Sequence, residues 1–268
     1  MHYTIYKDGH QVSNENYKSL LNERITFIFH GLFGRAKNWH SIVLKMSSII
    51  HGIFIVFDLR NHGDNNSSLN ISYQIMVNDI YQFINKKNIL KFSIIGHSMG
   101  GKLGMLFTLN YPDFVDQLFV VDIAPVEYPS EENEIVDHLI NTDIDACKSR
   151  IEVDTELSKN IKDKNLRSFL LQNLKLNNEK YVWSLNLKTI KSGMSDLRGF
   201  PNEVDLKASV IKTICIYGEK SSYLNENFKK DFQRLFSNLK FEKVNDAGHW
   251  LHVEKSNEFI EIISKNLI

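Results

Sequence analysis

A serine held between glycines, Gly96-His97-Ser98-Met99-Gly100, stands where a short apolar run at residues 92–95 meets a segment with Leu103, Leu106 and Phe107 at helical spacing. A strand that turns into a helix within two residues strains its central residue and points that side chain outward, and the flanking glycines leave room where a Cβ would collide. The pattern reads as a nucleophile elbow, with the Met99 N–H at a helix N-terminus where developing negative charge is favoured. A serine hydroxyl is a weak nucleophile at neutral pH. It needs a base within hydrogen-bonding reach and a third group to hold that base in the right tautomer. Of the ten histidines, His249 is the best base, because it lies in a loop after the last strand and follows Gly248. Two acids compete. Asp122 follows the apolar run 118–121 and keeps the order Ser, Asp, His along the chain, whereas Glu219 lies in the loop 218–223, which has no aspartate. A short acid at a strand end is held more rigidly than a glutamate in a loop, which favours Asp122 and leaves Glu219 as the alternative.

The elements that position these groups follow from apolar patterning. Unbroken apolar runs at residues 25–29 and 53–57 read as strands covered on both faces, and residues 92–95, 118–121, 211–217 and 241–244 add four more. Residues 3–6 followed by a polar turn at 7–10 suggest a hairpin at a sheet edge. Between the strands lie helical stripes, one through Trp39, Ile42, Val43 and Met46 and one through Tyr73, Met76, Val77, Ile80 and Ile84, the second opened by Ser72 as N-cap. Strand-helix alternation of this kind implies an α/β fold with a mostly parallel central sheet and helices on both faces, and functional groups gather at the carboxyl edge of such a sheet. The loop His30-Gly31-Leu32-Phe33-Gly34 leaves a central strand, so the Leu32 N–H is the expected second donor to an oxyanion. Asp58 and Arg60 are expected to tie down the next loop.

The alternation stops after Pro125. No glycine occurs between Gly104 and Gly193, and residues 135–140, 144–151 and 166–174 have helical spacing, so residues 126–205 read as a helical cap inserted between core segments 1–125 and 206–268. Phe169, Leu170, Trp183 and Met194 are the cap residues suited to line an acyl pocket, with His30, Phe33 and Trp250 contributed by the core loops. The cap is net acidic over residues 127–156 and net basic over 159–198. A basic face suits the phosphates of coenzyme A or an acidic carrier protein, although solvated helix surfaces carry the same composition.

Acidic and basic residues balance at a formal net charge of zero, which argues against nucleic acid as a partner. The two cysteines, Cys147 and Cys215, match no metal-ligand spacing and suit a reducing compartment. The residues after Met1 lack the basic and apolar blocks of a signal peptide, and no apolar run reaches the length of a membrane span, so a cytoplasmic protein without membrane attachment is expected. His252 pairs with His249 at a spacing of three, but no carboxylate or cysteine cluster completes a metal site there. His30, His62 and His97 read as loop and turn residues.

Taken together, five motifs resemble the α/β-hydrolase superfamily, and within it the small bacterial YbfF-type esterases and their mitochondrial relatives. They are His30-Gly31-Leu32-Phe33-Gly34, Asp58-Leu59-Arg60-Asn61-His62-Gly63, Gly96-His97-Ser98-Met99-Gly100-Gly101-Lys102, Val121-Asp122-Ile123-Ala124-Pro125-Val126 and Gly248-His249-Trp250. The resemblance implies Ser98 as nucleophile, Asp122 as acid, His249 as base and the N–H groups of Leu32 and Met99 as oxyanion donors. It further implies cofactor-free hydrolysis of short acyl esters or acyl thioesters; a monomer or homodimer is expected. The chain departs from the pattern at Lys255-Ser256, where a proline commonly precedes the last helix. The same scaffold also serves methyl-ester carboxylesterases acting on acyl-carrier-protein substrates, cofactor-free lyases and carbon–carbon bond hydrolases, and a non-catalytic binding protein would have no need of Ser98 and His249 together.

Overall fold

Six parallel strands carry the apolar runs to one edge of a single sheet. In the computed structural model, which describes residues 1–13, 23–65, 68–129, 131–201 and 207–267, these are β3 (Ile25–Phe29), β4 (Ile53–Asp58), β5 (Phe92–His97), β6 (Val115–Val121), β9 (Lys212–Gly218) and β10 (Leu239–Val244). The hairpin β1 (His2–Lys7) and β2 (His10–Val12) adds antiparallel strands beside β4, completing the order β10-β9-β6-β5-β3-β4-β1-β2. Every residue of β3, β4 and β5 is buried, as expected where helices cover both faces.

One apolar cluster joins the sheet to α2 (Tyr73–Lys87) and α3 (Met99–Asn110). The other joins its opposite face to α1 (His40–Ser47) and the C-terminal helix (Ser256–Asn266). Ser72 caps α2, its hydroxyl accepting from the Ile75 N–H at 3.2 Å. Among the described residues no helix is long and apolar enough to cross a membrane.

Between β6 and β9 the chain forms α4 (Glu131–Asn141), α5 (Arg150–Ser158), α6 (Lys164–Leu171), α7 (Leu187–Ser192) and α8 (Met194–Arg198). Two expectations fail here. Residues 144–149 are not helical, because α5 begins only after Ser149, whose hydroxyl accepts from the Glu152 N–H. Nor is the insertion all helix: β7 (Leu174–Asn177) and β8 (Lys180–Trp183) pair as an antiparallel hairpin. Its turn residues Asn178 and Glu179 have φ of 46° and 65°, so left-handed conformations that usually call for glycine are taken by residues that do not announce them. The expected cap boundary at 205–206 lies outside the described residues.

Candidate active site

Ser98 has φ 53° and ψ −119° and immediately precedes α3. A Cβ at Gly96 would come within 2.2 Å of the Gly100 carbonyl oxygen, and one at Gly100 within 2.4 Å of the Phe29 carbonyl oxygen, so only glycine permits this bend. The Ser98 N–H donates to the Val121 carbonyl at 3.0 Å, which locks the elbow to the neighbouring strand. As first residue of α3, Met99 contributes an N–H that the helix ladder cannot use, free for an incoming oxygen.

One residue beyond β6, Asp122 is fully buried, and its N–H donates to Ile216 at 2.8 Å. Its carboxylate accepts from the Gly218 N–H at 3.0 Å, from the Ser221 hydroxyl and from His249 Nδ1 at 2.7 Å. The last bond puts the proton on Nδ1 and leaves Nε2 with its lone pair, the tautomer a general base requires. His249 lies in the loop after β10. Its ring stacks on Tyr223 with centroids 4.0 Å apart, and its carbonyl oxygen accepts from His97 Nε2 at 2.9 Å, so its loop rests against the residue next to Ser98. Glu219, the alternative acid, is exposed and accepts from Lys243 at 2.9 Å and from the Asp246 N–H at 3.1 Å, whereas the imidazole is held by Asp122.

The loop after β3 is fixed by two neutral histidines. His30 donates from Nδ1 to Gly31 at 2.8 Å and accepts the Leu59 N–H at Nε2 at 3.0 Å, so both ring nitrogens are committed to backbone although the ring borders a cavity. His62 donates to the Arg60 carbonyl and accepts the Phe33 N–H at 3.2 Å, and burial pushes its pKa down to about 3. Phe33, at φ 61°, also accepts Asn173 Nδ2 of the insertion on its carbonyl at 2.7 Å. Asp58 accepts the Ala36 and Asp64 N–H groups, and Arg60 grips Asp79 with two bonds at 2.7 and 2.5 Å, so both brace the neighbouring loop. His2, Asp58 and Asp64 bring ligand-type atoms within 4.8 Å, but both Asp58 oxygens already accept N–H donors, which suits a brace better than an ion site.

A small cavity of about 30 Å³ opens at Ser98, bounded by Leu32, Met99, Ile123, Tyr128, Met194 and Tyr223. A larger one of about 410 Å³, lined by His97 but not by Ser98, lies between α6 and the loop carrying Trp250. Phe169 and Trp250, with ring centroids 5.6 Å apart, both line it. Trp183 does not belong to either cavity. It faces a separate groove with Leu139 and Leu185, because the unforeseen hairpin carries it away from the sheet edge. Leu170 is buried in the core. His252 stacks on Trp39 at 4.5 Å and is pushed by burial to a pKa of about 3.

Ser221 and Tyr223 escaped the sequence reading. The signal their loop carries is a run of hydroxyl and aromatic side chains, Ser221-Ser222-Tyr223, suited to donate to an acid.

The fold and the strand-end residues define an α/β hydrolase. The chain belongs to the α/β-hydrolase fold family, whose model matches residues 27–256. Among characterised relatives it is similar to the sn-1-specific diacylglycerol lipase ABHD11 of Danio rerio, 34% identical over 240 residues that cover 87% of this chain and 75% of the relative. It is also similar to esterase YbfF of Escherichia coli K12, 28% identical over 241 residues covering 90% and 91%. A solved structure of a marine microorganism esterase superposes with a TM-score of 0.87 at 29% identity, covering 99% of this chain and 98% of that one. The chain is therefore an α/β hydrolase of the esterase and lipase type.

Proposed function

We propose that the protein hydrolyses neutral carboxylic esters of short acyl groups through an acyl-enzyme on Ser98. The observation that carries this reading is the 2.7 Å contact of His249 Nδ1 with Asp122, which orients an imidazole beside the elbow. Ser98 Oγ attacks the acyl carbonyl as its proton passes to His249 Nε2, and the N–H groups of Leu32 and Met99 receive the oxyanion. Collapse breaks the bond to the alcohol, which leaves with the proton from Nε2. Water then attacks the acyl carbon, giving its proton to Nε2, and the free acid departs as Ser98 is restored.

The insertion serves as a cap over this edge. The smaller cavity suits a short acyl group, and the larger, aromatic one suits an apolar alcohol portion. Among the described residues no lysine or arginine lines the larger cavity and Glu254 does, which favours a neutral ester over a coenzyme A or carrier-protein thioester. The relatives named as diacylglycerol lipase and esterase agree with that choice. The thioester reading draws on the family resemblance and on the net basic stretch 159–198 of the insertion.

The test compares wild type and Ser98→Ala on p-nitrophenyl butyrate and butyryl-coenzyme A, with fluorophosphonate labelling of each. Labelling at Ser98 is expected in the wild type and none in Ser98→Ala, which is also expected to lose at least about 10⁴-fold in ester turnover. Near-native turnover by Ser98→Ala would refute the mechanism, and a thioester preferred over the ester would refute the substrate class.

A further inference from the structure

Lys102 has no part in the proton transfers, yet it is the most deeply buried cation near Ser98. It follows the nucleophile by one helical turn, is 1% exposed and borders the small cavity. Its ammonium donates to three backbone carbonyls, Val126 at 2.7 Å, Arg198 at 2.6 Å and Gly199 at 2.8 Å, and lies 4.7 Å from the centre of the Tyr128 ring. Three N–H donors meet three acceptors, which only the protonated amine can supply. Burial pushes its pKa down to about 7 and Arg198 pushes the same way, while Glu132 and Glu127 oppose them, and the three carbonyls hold the proton by giving each N–H a partner.

The positions of those carbonyls are what matter. Val126 lies where the chain leaves β6 for the insertion, and Arg198 and Gly199 lie at the end of α8, the last described helix before β9. One side chain from the nucleophile's own helix thus joins both ends of the insertion. Beside the clamped carbonyls stand Tyr128 and Leu197, two walls of the small cavity. Tyr128 is held further by accepting the Ala124 N–H at 2.9 Å and by donating to the Tyr223 carbonyl at 2.6 Å.

We infer that Lys102 is a specificity-determining positioning residue, which clamps both ends of the insertion onto α3 and thereby sets the length of acyl group admitted beside Ser98. The inference rests on the ester-hydrolysis reading. Releasing the clamp lets the walls around Tyr128 and Leu197 recede, so longer acyl groups gain relative to acetate. A purely structural contribution would lower both in proportion.

The experiment measures kcat/KM for p-nitrophenyl acetate and p-nitrophenyl octanoate in wild type, Lys102→Met and Lys102→Arg, with active sites counted by fluorophosphonate titration. The octanoate-to-acetate ratio is expected to rise about 10-fold or more in Lys102→Met, mainly through a lower octanoate KM, and by less but in the same direction in Lys102→Arg. Lys102→Arg keeps a buried cation, so it decides the matter should the methionine variant fail to fold. An unchanged ratio, or one that falls, overturns the inference. If wild type hydrolyses neither ester, the ester-hydrolysis reading itself fails, and that outcome is seen before any variant is measured.

Discussion

Ser98 and Asp122 occupy equivalent places on neighbouring strands and share one backbone state. Each lies one residue past the paired positions His97 and Val121, each has φ of 53°, and the Ser98 N–H donates to the carbonyl of the residue preceding Asp122. Positive φ in a residue with a Cβ costs on the order of 1–3 kcal/mol, and such strain persists where the surroundings over-determine it. Here two adjacent strands end in it side by side, turning a hydroxyl and a carboxylate out of the sheet edge.

Asp122→Asn should therefore separate orientation from charge. An amide in that place can present its NH₂ to Nδ1, which then carries the lone pair and leaves the proton on Nε2, where a base cannot use it. A fall in kcat of about 10⁴-fold is expected by analogy with the serine-protease triad. Glu219→Gln should leave kcat within about twofold, since its carboxylate is spent on Lys243 and Asp246. Steady-state assays of the two variants decide between the acids, and the reverse pattern would return the role to Glu219.

The buried histidines make stability depend on pH in a definite direction. His62 and His252 are held near pKa 3 in the folded state by burial, against about 6.5 when unfolded. The unfolded chain takes up protons as pH falls below about 6.5 and the folded chain does not until about 3, so the stabilisation present above 6.5 is lost through that window. Each histidine contributes a slope on the order of 1 kcal/mol per pH unit there. His252→Phe, which keeps a ring against Trp39, should flatten the slope by about one proton's worth. Urea unfolding at several pH values between 4 and 7 measures it, and an unaltered slope would show that His252 is protonated in the folded state.

Much of this geometry was legible because strand ends are written in apolar runs. The runs at residues 25–29, 53–57 and 92–95 lead into Leu32, Asp58 and Ser98 at the sheet edge, and the strand-to-helix switch at Ser98 needs its glycines visibly. The insertion was less legible. Strands of four residues offer too few alternations to stand out, and the turn at Asn178 and Glu179 lacks the glycine that marks most such turns. Trp183 lies on a hairpin strand and lines a separate groove, whereas helical spacing would place it in an acyl pocket. Ser221 and Tyr223 are hidden for another reason: the contact of Ser221 with Asp122 spans 99 positions of the chain and that of Tyr223 with His249 joins two different loops, which periodicity does not encode.

Asn173 is the point at which the insertion reaches the loop carrying Leu32. It is 1% exposed, and its side-chain amide donates to the Phe33 carbonyl at 2.7 Å, while Phe33 itself is strained at φ 61°. Asn173→Ala removes the donor and leaves a buried carbonyl without it, a change that costs about 1–3 kcal/mol. The loss falls on a residue already in an unfavourable conformation, so the loop gains freedom to relax and carry the neighbouring Leu32 N–H with it. Donors that stabilise charge only in the transition state affect kcat more than KM. Asn173→Ala is accordingly expected to lower kcat for p-nitrophenyl acetate by about 10-fold with KM within about twofold, alongside the loss of stability. Paired kinetic and urea-unfolding measurements check it. A variant that loses stability but keeps its kcat would mean that the insertion braces the loop without setting the position of Leu32.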